Sequence, residues 1–139
     1  MNSPSLQSTT DVDRILIVDD LPDNVFLLQT VLESEGYQVE VADSGHTALK
    51  CITAHPPDLV LLDVMMPEMS GFEVTRHIRQ NSALPFIPVL LVTGYTEPTP
   101  ADGFDVGADG FIRKPIDFDL LLDRIRAILQ PTETLKQAT

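Results

Sequence analysis

Three short aliphatic runs each end on a polar side chain, and this pattern constrains the chain more than any other. Ile15-Leu16-Ile17-Val18 runs into Asp19-Asp20, Leu59-Val60-Leu61-Leu62 into Asp63, and Val89-Leu90-Leu91-Val92 into Thr93. Apolar runs this short, without polar alternation, suit strands buried on both faces, as in a parallel sheet. Helical spacings lie between them. Pro22 stands where a first helical turn tolerates proline, Val25, Leu28, Val31 and Leu32 follow on one face, and Gly36 is placed to stop the helix. Gln38 to Ala42 alternates like an edge strand. Ser44 opens a helix to about Ala54 that turns Ala48, Cys51 and Ile52 to one side, and Pro56-Pro57 breaks the chain. Ser70 with Glu73 three residues on is a capping box for a helix carrying Val74 and Ile78 inward, which Asn81-Ser82 ends. Gly110 to Ile112 is one more brief strand. Asp117 caps a last helix whose apolar face is Phe118, Leu121, Leu122, Ile125, Ile128 and Leu129, and Pro131 closes it.

A strand followed by a helix, five times over, implies a parallel sheet with helices on both faces. The expected fold is a single flavodoxin-like (βα)5 three-layer α/β sandwich with strand order 2-1-3-4-5. Residues 13–130 form the domain, 1–12 a disordered leader and 131–139 a polar tail. Ligands of open α/β sheets bind at the carboxyl ends of the strands, where strand order reverses. Strands one and three are neighbours in this order, so Asp19, Asp20 and Asp63 are expected within reach of one another.

Composition narrows what such a crevice serves. The 139 residues are 43% hydrophobic and 22% charged, which is ordinary for a globular domain. Nine basic against 21 acidic residues leave a net charge of −12, which repels nucleic-acid phosphates and anionic membrane surfaces. No direct nucleic-acid or membrane partner is expected. A divalent cation or a basic protein surface fits better. The single Cys51 makes no internal disulfide and reads as a small apolar helix residue. No run of 18 apolar residues and no apolar-centred leader is present, so the cytoplasm is the expected compartment.

Three carboxylates in one crevice repel, and a hard divalent cation relieves them. Magnesium prefers oxygen ligands and commonly takes one or two carboxylates together with a phosphate; manganese is the substitute ion. Cysteine and paired histidine are absent from the neighbourhood, which speaks against zinc. His46, His55 and His77 read as surface residues. Lys114, after the last strand, brings a point charge to the same edge. Three aspartates, one hydroxyl and one lysine around a metal suit phosphoryl transfer onto a carboxylate, with Thr93 donating to the new phosphate.

In these residues the chain resembles the receiver domain of two-component response regulators, the CheY-like superfamily. The matching elements are Asp19-Asp20 after Ile15–Val18, Asp63 in Leu61-Leu62-Asp63-Val64-Met65-Met66-Pro67, Ser70-Gly71-Phe72-Glu73, Val92-Thr93-Gly94 and Lys114-Pro115. The resemblance covers about residues 13–130. It implies that Asp63 accepts a phosphoryl group from a phosphohistidine of a sensor histidine kinase or a histidine phosphotransfer protein. It implies magnesium at Asp19, Asp20, Asp63 and the backbone carbonyl of Met65, and phosphoryl oxygens bound by Thr93 and Lys114. Phe111 would be an aromatic switch coupled to Thr93, and the Lys114–Pro115 bond would be cis. The implied role is a phosphoacceptor switch in a phosphorelay, catalysing at most its own phosphorylation and dephosphorylation. No output motif follows Pro131, so the chain reads as a stand-alone receiver or as one cut from the N-terminus of a longer protein.

Two features depart from the family pattern. Pro98, Pro100, Gly103 and Gly107 crowd the place of the fourth helix and predict a short or irregular one. Met65 and Tyr95 flank the acceptor, and apolar groups there hinder water, which predicts a long-lived phosphoform. Three other functions compete. A haloacid-dehalogenase-like phosphatase needs a second aspartate where Met65 stands. A flavodoxin-like carrier needs a phosphate loop where Asp19-Asp20-Leu21-Pro22 would repel one. A receiver that is never phosphorylated needs no intact Asp63, Thr93 and Lys114.

Overall fold

The computed structural model describes residues 12–94 and 106–130. Strand β1 (Arg14–Val18) leads to helix α1 (Pro22–Ser34), then β2 (Gln38–Ala42), α2 (Gly45–Ala54), β3 (Leu59–Asp63), α3 (Gly71–Gln80), β4 (Val89–Thr93), β5 (Gly110–Arg113) and α4 (Phe118–Leu129). The five strands form one parallel sheet in the order β2-β1-β3-β4-β5. This is the flavodoxin-like architecture expected of the sequence, with five strands and four helices among the described residues. The expected fourth helix falls on residues 95–105, outside the described residues. Val106 and Gly107 form a turn in which Gly107 takes φ +98°, a left-handed conformation open to glycine.

Strand parity sorts the side chains into two cores. Leu16, Val18, Val60, Leu62, Val89 and Leu91 face Ala48 and Ile52 of α2 and Val74 and Ile78 of α3. Ile15, Ile17, Leu59, Leu61, Leu90, Val92 and Ile112 face Leu28 and Leu32 of α1 and Leu121, Leu122 and Ile125 of α4. All five residues of β3 are buried, and so are all five of β4, because helices cover both faces of the inner strands. Each fully buried Leu or Ile contributes about 1.5–3 kcal/mol. The edge strand β2 is mostly exposed, as its alternation predicts.

The helix starts follow the sequence signals. Ser44 Oγ accepts from Thr47 N–H, Ser70 and Glu73 make the reciprocal capping box, and Asp117 accepts from Leu120 N–H. Helix α1 differs: its cap position is Leu21, without a side-chain cap, and Pro22 occupies its first turn. The strands also run further than the apolar runs. Pairing continues through Asp63, opposite Val92, and through Thr93, opposite Arg113, so the polar residues belong to the strand ends themselves.

At the opposite rim, Arg79 of α3 fastens the entries to β4 and β5. It donates to the carbonyls of Ile87 (2.7 Å) and Gly107 (2.9 Å), ion-pairs with Asp109 (2.9 Å), and stacks 4.8 Å from the Phe86 ring centre. Asp109 in turn accepts from Val89 N–H at 2.7 Å.

Candidate functional site

The crevice between the ends of β1 and β3 is built by register. Val18 pairs with Leu62, so Asp19 and Asp63 leave the two strands side by side. Carboxylate oxygens of Asp19, Asp20 and Asp63 lie within 4.8 Å of one another. Asp19 is 4% and Asp63 3% exposed, which is unusual for carboxylates, while Asp20 is half-buried. Lys114 Nζ reaches Asp63 Oδ1 at 3.1 Å. The Lys114–Pro115 peptide is cis.

The remaining candidates sit around this group at different distances along the strands. Thr93 is 1% exposed and lies one residue beyond Val92, the register partner of Asp63. Its carbonyl accepts from Lys114 N–H at 2.8 Å, and Arg113 donates to the next carbonyl, Gly94, at 3.1 Å. Phe111 pairs with Leu91, two residues short of Thr93, and packs half-buried against the α2–α3 core. Met65 lies in the loop after Val64 with its side chain 58% exposed. Tyr95 lies outside the described residues. His46, His55 and His77 are all exposed, away from the cluster.

The loop from β3 to α3 is held tightly under Asp63. Gly71 N–H donates to Val64 O at 2.9 Å. A Cβ on Gly71 would stand 2.6 Å from the Asp63 carbonyl oxygen and 2.9 Å from Val64 Cα, so only glycine fits. Within the loop Met69 N–H closes on Pro67 O at 2.7 Å, and Glu68 between them has φ +71°.

Sequence reasoning alone missed two partners of Asp19. Its Oδ1 accepts from Leu21 N–H at 2.9 Å and its Oδ2 from the Asn24 side-chain amide at 3.3 Å. The available signal was an amide residue in the first turn of the helix that follows the acidic pair.

The donor set is all oxygen, closely spaced and largely buried. Lys114 brings one positive charge to three carboxylates, and a dication would balance the set. Oxygens sharing one magnesium at about 2.1 Å stand at most about 4.2 Å apart, so small side-chain rotations close the cluster on such an ion. Soft-metal ligands are absent from the group.

Residues 15–126 match the family model described as the response regulator receiver domain. The chain is a member of that family. The receiver is 43% identical over 133 residues to a probable cyclic di-GMP phosphodiesterase of Vibrio cholerae, covering 94% of this chain but only 30% of that protein's length. It is 38% identical over 117 residues to the protein PilH of Pseudomonas aeruginosa, covering 84% of this chain and 97% of PilH. A putative response regulator from Chloroflexus aurantiacus superposes with a TM-score of 0.81 at 32% identity, over 86% of this chain and 98% of that one. Receivers are phosphoacceptor switches that take phosphate from histidine kinases or phosphotransfer proteins and bind magnesium at an acidic pocket. Among the described residues of this receiver, no helix is long and apolar enough to cross a membrane.

Proposed function

We propose that this receiver, residues 13–130, works in the cytoplasm and takes a phosphoryl group from a phosphohistidine of a sensor histidine kinase or histidine phosphotransfer protein onto Asp63. The observation that carries the reading is the convergence of Asp19, Asp20, Asp63 and the Lys114 ammonium at one sheet edge. A carboxylate oxygen of Asp63 attacks phosphorus, the P–N bond breaks, and the leaving imidazole keeps the electron pair and takes up a proton. A magnesium or manganese ion held by Asp19, Asp20, Asp63 and the Met65 carbonyl supplies charge neutralisation for the phosphoryl oxygens.

The chain's own residues do the rest. Lys114, 31% exposed and already against Asp63, can exchange that carboxylate oxygen for a phosphoryl oxygen as charge moves onto the acceptor. Thr93 donates its hydroxyl to the acquired phosphate. Phe111, on the same parity as Thr93, responds to that movement, and the altered face is what a downstream protein binds. Met65 hinders water and prolongs the phosphoform.

Incubation with acetyl phosphate and magnesium, followed by intact mass measurement, tests this. One phosphoryl adduct is expected, persisting for minutes or longer, and lost in Asp63→Asn and in chelator. No adduct on the parent chain would instead favour a receiver-like interaction module that is never phosphorylated. Decay within seconds would remove the shielding role of Met65.

A further inference from the structure

The acid cluster contains an asymmetry that phosphoryl transfer alone does not explain. Asp19 and Asp20 are consecutive, yet only Asp19 is deeply buried, and both of its oxygens are already engaged. The backbone N–H of Leu21 holds Oδ1, and the Asn24 side chain holds Oδ2 at 3.3 Å. An ionised carboxylate offers about two acceptor sites per oxygen, so one donor on each leaves the others for a cation.

We propose that Asn24 is a positioning residue for the divalent cation, acting through Asp19. This rests on the metal site of the reading above. Helix economy does not account for an asparagine at this position. Asn24 stands in the first turn of α1 but is not its cap residue, which is Leu21, and asparagine has a lower helix propensity than leucine or alanine. Its side chain turns into a cleft of about 290 Å³ that Asp19 and Lys114 also line. A neutral amide suits the task. It fixes the direction of the Asp19 lone pairs without cancelling the negative charge that attracts the ion, as a lysine or arginine would. Pro22 sets the first turn of α1, and so sets where the amide stands. Asp19 is therefore held ready for the ion, whereas the more exposed Asp20 is free to adjust. Loss of such a partner typically costs 10- to 100-fold in metal affinity.

The test is magnesium titration of the full chain by calorimetry, without any phosphodonor. Asn24→Leu keeps the bulk of the side chain and removes the donor; Asn24→Ala removes both. The expected result is a Kd raised about 10-fold or more in both variants. The thermal midpoint of Asn24→Leu in chelator should equal or exceed that of the parent, since leucine is the better helix former. If Asn24→Leu binds magnesium like the parent while Asn24→Ala does not, the residue acts by packing and the proposal is overturned. If both bind like the parent, it is overturned outright. Asp20→Asn separates this failure from failure of the site itself. Should Asp20→Asn also leave the Kd unchanged, the three carboxylates are not the magnesium site, and the role of Asn24 falls with them.

Discussion

Asp13 lies at the other end of β1 from the acid cluster, and its carboxyl is held above the usual aspartate value. Burial is the main cause, and the negative charge of Asp58 adds to it. A group that binds its proton more tightly folded than unfolded stabilises the fold when protonated and costs stability when ionised. That contribution is complete below the ordinary value of 3.8 and is lost as pH rises through the higher folded value. Asp13→Asn imitates the protonated form. Its thermal midpoint should exceed that of the parent at pH 7, and the difference should vanish near pH 3. A constant difference across that range would mean that Asp13 acts through packing. At this same scale the sequence was only partly legible. Asp19, Asp20 and Asp63 stand out because each follows an apolar run. The hydrogen bond of Asn24 to Asp19 has no such mark, since it depends on where a helix turn points its amide.

Helix α3 bears directly on Asp63, the proposed acceptor. Ser70 and Glu73 cap it, and Gly71 lets its first turn press against the carbonyl of Asp63. Gly71→Ala would drive a methyl group into backbone 2.6 Å away, where no flexible side chain can yield. The expected cost is about 1–3 kcal/mol, as for other overpacked sites. Because the strain falls on Asp63, the proposed nucleophile, phosphorylation by acetyl phosphate should slow at least about 10-fold. A stability loss with an unchanged rate would show that the loop yields without moving Asp63. Elements of this kind were readable beforehand. Capping residues and apolar spacing placed α2, α3 and α4, and burial on both faces placed β1, β3 and β4. The close approach at Gly71 was not readable, because it depends on how the loop after β3 folds α3 back onto Asp63 and leaves only a glycine in the chain. The standing of Asp63 and Thr93 at strand ends was readable too, though whether each pairs within its strand was not. A run of hydrophobic residues reports burial, whereas a strand ends where its pairing ends.

For the molecule as a whole, three acidic groups concentrated at one edge within a chain of net charge −12 store repulsion that a bound cation would release. An ion that binds only the folded form stabilises it by mass action, by about 2.7 kcal/mol at 100 times its Kd. Magnesium should therefore raise the thermal midpoint by several degrees, chelator should reverse the gain, and Asp20→Asn should abolish most of it. A rise of equal size in Asp20→Asn would place the ion elsewhere. The order 2-1-3-4-5 was foreseeable from the alternation of strands and helices, because it is what brings the polar strand ends together. The parity of the strands has a further consequence. Asp63 continues the face of Leu61 in β3, toward α1 and α4, whereas Thr93 continues the face of Leu91 in β4, toward α2 and α3. On the proposed reading the sheet is a partition: phosphate would arrive on one side of it, and the Thr93 hydroxyl would answer from the other. A signal passing from Asp63 to Thr93 would then cross only the rim between the neighbouring strands β3 and β4, with no helix dragged through the core to carry it.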